Sequence, residues 1–346
     1  MKKLKNLIKL FIVIAIFSGC KRDRIPVPDI KHAVIPPQKV FVVCEGNFGW
    51  GNGAVSMVSL KDETVIEDNF KYVNNRNLGD VVQSITLINN NYFIVVNNSN
   101  KIEVVDTSSF KSVRIISGFQ SPRYVLPLNE NIGLVSELYA NKLYKIDLKN
   151  FSILQEIEFR GWSEKMIKVD DKIFVSNIYS SKLYVLNENS LSITDSIEAG
   201  TFVNSLIVDK NKKLWILSRG DNLESRQGKL YRYNPQNLNK ELELTFSLAA
   251  EPKSLCTNLA KDSLWFIHKN VYSMSINALT LPTEPVVYSL QNQLFNGLGI
   301  EPSNSNIWIS DAKDYQRKGQ VFKYNSKAVL LKTYPVGIIP SEFLFK

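Results

Sequence analysis

Apolar and polar positions alternate along most of this chain in short runs, and one such run recurs seven times. Asn141-Lys142-Leu143-Tyr144-Lys145-Ile146-Asp147 returns as Ser181-Lys182-Leu183-Tyr184-Val185-Leu186-Asn187 and as Gly228-Lys229-Leu230-Tyr231-Arg232-Tyr233-Asn234. Close variants start at Asn100 and Gly319, and degenerate copies at Gly53 and Lys269. The intervals between successive starts are 47, 41, 40, 47, 41 and 50 residues. Each copy opens on a turn residue or a basic one and then keeps the period of two of a half-buried strand. A repeat of roughly 40–50 residues made of short strands is the signature of a four-stranded propeller blade. The chain is therefore expected to be all-β, a seven-bladed β-propeller; the weak copies at 53 and 269 leave six or eight blades as alternatives.

The segment before each motif is more continuously apolar, as in Tyr92-Phe93-Ile94-Val95-Val96, Leu214-Trp215-Ile216-Leu217 and Ile307-Trp308-Ile309. Such runs fit strands covered on both faces. Openers such as Ser84-Ile85-Thr86-Leu87 and outer strands such as Ser112-Val113-Arg114-Ile115-Ile116 complete the unit, and no stretch reads as a capped amphipathic helix. The first unit, starting at Lys39, has no innermost strand, whereas the tail from Pro340 to Lys346 looks like an opener without a blade. Pairing the two closes the ring and removes an exposed edge, which ranks a closed disc above an open solenoid or two sandwiches.

The chain ends change the charge picture. Lys2, Lys3, Lys5 and Lys9 precede a brief apolar run and Ser18-Gly19-Cys20. A basic segment, a short hydrophobic core and small residues make a signal peptide over 1–19, and the run is short for a membrane span. Phe17-Ser18-Gly19-Cys20 resembles a bacterial lipobox, with Cys20 as the lipidated residue and acyl chains as the anchor. Proline-rich residues 20–38 read as an extended tether, leaving 39–346 for the propeller. Removing the four signal lysines takes the net charge from +9 to +5, and residues 20–39 carry a further +3, so the body is left near +2. That is no nucleic-acid footprint. Cys44 and Cys256 sit in different units among apolar neighbours and are expected to be separate buried thiols.

Catalytic motifs are scarce. His32 and His268 lie far apart, and no nucleophile elbow or phosphate-cradling loop is present. Asp311-Ala312-Lys313-Asp314 and Arg219-Gly220-Asp221-Asn222 lack calcium-loop spacing and read as solvated turns. No metal site or cofactor is expected. An enzyme built on axial carboxylates stays open as a class, since residues drawn from separate blades leave no linear motif. A binding surface is better supported. The loops from second to third strand and from outer strand to next opener share one face of a propeller. Here they carry Asn47, Phe48, Trp50 and Asn52, then Asn97 and Asn98, Tyr139, Trp162, Asn177 and Tyr179, Phe202, Arg219 and Asp221, and Tyr315. Phe119, Arg123 and Phe295 belong to the same loops. Aromatics interleaved with amides and arginine suit a large amphipathic ligand or a protein partner, although any one aromatic could instead plug a gap between blades.

Three segments together carry a family likeness. Glu45-Gly46-Asn47-Phe48-Gly49 with Gly51-Asn52-Gly53, Asn77-Leu78-Gly79-Asp80-Val81-Val82-Gln83-Ser84, and Val95-Val96-Asn97-Asn98-Ser99-Asn100-Lys101 resemble the YncE-like (YVTN-type) propeller lipoproteins of Gram-negative bacteria. The resemblance implies a non-catalytic outer-membrane lipoprotein, displayed at the cell surface. It would capture a corrinoid, a vitamin B12-like solute, for a TonB-dependent transporter and be monomeric apart from that partner. An envelope interaction scaffold and a hydrolase or lyase are the alternative classes.

Overall fold

Seven antiparallel sheets follow one another along the chain between Lys39 and Phe345. The structure, a computed structural model, describes residues 37–346. The expected signal peptide, Cys20 and nearly all of the 20–38 tether lie outside those residues. The innermost strands of blades 1 to 7 are Pro340–Phe345, Val82–Ile88, Pro122–Pro127, Ser163–Val169, Val203–Val208, Lys253–Thr257 and Phe295–Ile300. All seven contribute to the wall of one central cavity, so the sheets are propeller blades around a common axis.

The repeated motif is the third strand of each blade. Six of the seven third strands begin one residue after the motif start, from Ala54–Ser59 to Asn270–Ser275, and the seventh is Lys318–Tyr324. Asn100 and Asn141 lead into theirs with φ of 54° and 53°, a left-handed turn that asparagine tolerates. Second strands are the most buried elements, because each is flanked by two strands of its own sheet and by neighbouring blades. Every residue of Leu214–Ser218 and of Ile307–Asp311 is buried. Their tryptophans repeat a single device. Trp215 donates its indole N–H to Asp209 at 2.9 Å, and Trp308 donates to Glu301 at 3.0 Å. Each acid lies at the turn between inner and second strand, and each bond satisfies a buried donor.

Closure follows the expected pairing. Pro340–Phe345 runs antiparallel to Lys39–Cys44, with Val40 opposite Phe345 and Val42 opposite Phe343. Lys39 and Lys346 exchange backbone hydrogen bonds at 2.8 and 2.9 Å, finishing the ladder. The seam is packed by Val40, Val42, Trp308, Tyr334 and Val336, with Phe343 and Phe345 against them, and Trp308 stacks on Tyr334 at 5.6 Å. A Cβ at Gly297 would run into the Ser341 carbonyl, so blade 7 meets the closing strand backbone to backbone.

Two units depart from the four-strand pattern. Blade 6 has three strands, and the place of its outer strand is taken by an isolated bridge between Val271 and Val287. Pro282 and Pro285 precede that bridge; proline has no N–H for a ladder, which breaks a continuous outer strand. Blade 1 has an outer strand of two residues, Val65–Ile66, followed by a helix over Asn69–Asn74 that the sequence reading did not find. Asp68 caps it by accepting from the Lys71 N–H, and Asn75 ends it in the left-handed region. At six residues the helix shows too little of a face to be seen as periodic, though Phe70 is fully buried. Cys44 and Cys256 are both free thiols as expected, but only Cys44 is fully buried and Cys256 is half-buried; loss of solvent pushes each up to about 12. Among the described residues no helix is long and apolar enough to cross a membrane.

Removing Pro340–Lys346 exposes the Lys39–Cys44 edge and uncovers Trp308. The truncated chain should lose its cooperative thermal transition, followed by circular dichroism; an unchanged melting temperature would disprove ring closure as the source of stability.

Candidate functional site

Every innermost strand breaks register at the same place, its cavity end. Val82 pairs with Val96 but Ser84 with Val95, which leaves Gln83 as the extra residue. The same interruption falls at Arg123-Tyr124, Glu164-Lys165, Asn204, Ser254-Leu255, Asn296-Gly297 and Ser341. A bulge bends its strand and re-aims the side chains beside it. Seven equivalent bulges therefore gather a ring of polar side chains, and these line a central cavity of ≈ 620 Å³.

The cavity wall carries three carboxylates, Glu45, Glu164 and Glu342, and four cations, Arg123, Lys165, Arg219 and Lys253. Arg123 pairs with Glu164 of the next blade at 2.6 Å. Lys165 pairs with Glu342 at 2.8 Å although blades 2 and 3 stand between their strands on one side, so this bridge ties blade 4 to the closing strand. The Lys165 ammonium also lies 3.8 Å from the centre of the Tyr124 ring, whose hydroxyl accepts from the Gln83 amide at 2.9 Å. Burial opposes the charge on Lys165, but Glu342 and Tyr124 prevail and hold it above the ordinary lysine range. Glu45 is different. Burial raises its carboxyl above the usual range, and the nearby Arg123 only partly offsets this. Burial also lowers Lys253. Among the described residues no three His, Cys, Asp or Glu side chains are grouped to hold a metal ion.

Ile178 lines the cavity, and Tyr179, the next residue, belongs to an aromatic trio outside the lining. Trp162 meets Tyr139 edge-on at 4.9 Å and Tyr179 at 4.1 Å, and the two tyrosines are 55% and 67% exposed. Asn177 fixes the group from below. Its carbonyl oxygen accepts the N–H of Trp162 at 3.2 Å and of Tyr179 at 3.3 Å, while its amide donates to the Arg160 carbonyl at 2.9 Å. Gly161 makes room for that clasp: its φ is 107°, and a Cβ there would collide with the Asn177 amide.

Residues 38–345 match a domain of unknown function, DUF5074. The chain belongs to the DUF5074 family. No curated protein matches it. Among solved structures it is similar to a quinonprotein alcohol dehydrogenase-like protein from Bacteroides thetaiotaomicron, with a TM-score of 0.71 and 14% identity over 89% of this chain and 78% of that one. It is also similar to the periplasmic gluconolactonase of Pseudomonas aeruginosa, with a TM-score of 0.64 and 12% identity over 88% and 99% of the two chains. A functionally unknown protein from Desulfotomaculum acetoxidans gives 0.66 and 9% over 88% and 98%. At such identities the likeness establishes the propeller fold alone.

In this DUF5074 propeller the expected contact residues divide into two groups. Phe202 and Arg219 line the cavity, whereas Phe48, Trp50, Tyr139, Trp162, Tyr179 and Tyr315 are exposed or half-buried on loops outside its lining. The others mostly brace loops. Asn47 and Asn52 bond to each other, and the Asn47 amide donates to the Tyr315 carbonyl at 2.8 Å. Asn98 donates to Asp80, which also accepts the Gly49 N–H at 2.9 Å. Asp221 caps its own turn by accepting from Leu223 N–H at 3.0 Å. Asn97 is buried, with its amide given to Ser121 and Pro122, so it pins blade 2 to blade 3. Asp311 is not a solvated turn residue: it is 1% exposed and accepts the N–H groups of Leu294 and Lys313 and the Gln320 amide. Phe119 and Phe295, grouped with the loop aromatics, are core residues. The sequence reading missed Glu45, Gln83, Tyr124, Glu164, Lys165, Asn204, Lys253, Asn296 and Glu342. For all but Glu45 and Tyr124 the one trace is a charged or amide residue near the start of an opener, as in Glu164-Lys165 before Met166-Ile167.

A raised Glu45 means that the folded state binds this proton more tightly than the unfolded chain. Its contribution is complete below the ordinary glutamate range and is lost as pH rises through the folded value. Glu45→Gln should therefore gain stability relative to wild type at pH 7 and show no such gain near pH 4, measured by urea unfolding at both. An equal difference at the two pH values would remove burial as the cause.

Proposed function

We propose that this propeller is a non-catalytic binding protein whose cavity-bearing face takes up a bulky amphipathic solute of the corrinoid class. In this reading acyl chains on Cys20 hold it at the outer membrane, on the cell surface, and it passes the solute to a TonB-dependent transporter. The observation that carries the reading is the Tyr139–Trp162–Tyr179 cluster beside a polar cavity. A flat macrocycle rimmed with amides would lay an apolar face on the aromatics and send polar arms into the ring of bulge residues. The loops are set in advance by Asn177 and by the Asn47–Asn52 clasp, which lowers the entropy lost on binding. Phe48 and Trp50, 76% and 77% exposed on a glycine-rich loop, offer a second apolar element suited to the transporter. The YncE-like likeness of the first two blades supports the ligand class and the partner.

One observation favours a second reading, acid–base hydrolysis of a lactone or glycan: Glu45, Glu164 and Glu342 do converge on the axis. Two of the three are tied to Arg123 and Lys165, which leaves Glu45 as the single carboxyl poised to exchange a proton. Lactonase and dehydrogenase-like propellers share the fold, so this reading has a direct test: turnover of a gluconolactone that Glu45→Gln abolishes.

Titration of the full-length protein with cobalamin and cobinamide, read by visible absorbance and calorimetry, should give micromolar or tighter binding. Trp162→Ala and Tyr179→Ala should each weaken it by about tenfold or more, as truncation of an aromatic anchor does. No binding at micromolar concentration would overturn the corrinoid reading, and recovery of a protein alone from solubilised outer membrane would favour an interaction scaffold.

A further inference from the structure

We propose that the cavity wall formed by blades 5 and 6 is an oxyanion-binding subsite, in which Arg219 and Lys253 take the carboxylate or phosphate group of a ligand. It goes beyond the reading of the aromatic rim and stands whether or not a corrinoid is the solute.

Pairing within the cavity leaves positive charge over. Of the seven charged side chains lining the cavity, four are consumed in the Arg123–Glu164 and Lys165–Glu342 pairs. Glu45, Arg219 and Lys253 remain, so the cavity keeps a net positive charge whether Glu45 is ionised or neutral. Lys253 makes no ion pair among the described residues; its ammonium donates to the neutral side-chain amide oxygen of Asn296, Oδ1, at 3.2 Å. Glu251 and Glu45 are the acidic groups near it and Arg219 the basic one. Burial outweighs the acids and makes the charged form of Lys253 costly. An ammonium kept in such a place with acids near it but none in ion-pair contact is a position suited to an anion.

Arg219 is held ready in another way. Its guanidinium lies over the Phe202 ring at 4.7 Å, and no N–H of that group donates to a protein acceptor among the described residues. The platform is fixed by backbone bonds: Arg219 N–H donates to the Phe202 carbonyl and Gly220 N–H to the Thr201 carbonyl, both at 3.0 Å. Phe202 itself has a φ of 55°, an uncommon conformation for an aromatic residue, and it turns the chain directly before the Asn204 bulge. A planar fork with unused donors binds two oxygens of one oxyanion, and a nearby ammonium with unused donors binds a third.

Isothermal calorimetry on the full-length protein at low ionic strength tests this, with inorganic phosphate and succinate as separate probes. Saturable binding of at least one is expected, with tighter phosphate marking a phosphoryl ligand and tighter succinate a carboxylate. Lys253→Met and Arg219→Gln should each weaken binding by about tenfold or more, the scale of a charge-assisted hydrogen bond. Arg219 is exposed, so its variant keeps the question open to test even if Lys253→Met fails to fold. No heat with either anion up to about 10 mM, or Arg219→Gln binding both as wild type does, would overturn the proposal. Phosphate binding without cobalamin binding removes the corrinoid and leaves this subsite; cobalamin binding with no response to either anion does the reverse.

Discussion

Antiparallel pairing between the last strand and the first described one is the constraint on which the rest of this molecule depends. It does more than hide an edge. Pro340–Phe345 supplies the innermost strand of blade 1, so the ring has its seventh wall only once the two ends of the propeller meet. The same strand delivers Ser341 and Glu342 to the cavity. Without it Lys165 would be a half-buried ammonium that has lost its carboxylate partner. Stability and site are thus coupled through one strand.

The bulges explain why an apolar scaffold presents polar chemistry on its axis. A regular inner strand alternates its side chains between the two faces of a blade, both packed against neighbours. One extra residue at the cavity end breaks that alternation and releases side chains toward the axis. Because the break recurs in all seven blades, the polar ring is a property of the repeat; which residues occupy it is a property of this chain. The charged bulge residues are Arg123, Glu164 and Lys165 of blades 3 and 4; Arg123 pairs with Glu164, Lys165 reaches Glu342 of blade 1, and amides or serine fill most of the other bulges.

This division sets how much could be read from the sequence. Third strands were legible because a turn residue and strict alternation recur, and second strands because burial on both faces leaves them uninterrupted. The unpaired opener at Pro340 gave ring closure. The cavity was hidden for the same reason that the strands were visible: a bulge disrupts the period that strand reading relies on, and its partners come from blades far apart in sequence. Asn97 and Asn177 illustrate the opposite error. Their amides look like free donors at loop tips, yet both are spent on backbone groups, one holding blades together and the other orienting Trp162 and Tyr179. Blade 6 was expected to be complete because proline in an outer segment weakens a ladder without erasing the motif that precedes it.

The two halves of the site ask different things of a ligand, and together they narrow its nature. The trio packs edge-on around Trp162, so Tyr139 and Tyr179 keep exposed ring surface for an apolar contact while their positions are already fixed. The adjacent cavity is charged, and its uncompensated cations gain only from a group that carries negative charge or strong acceptors. A solute that is flat and apolar on one side and oxygen-rich on the other meets both demands at once. In the proposed binding role that complementarity fits a small-molecule ligand at this face, and the Phe48–Trp50 loop, exposed and without charge between its two rings, would be the element offered to a macromolecular partner.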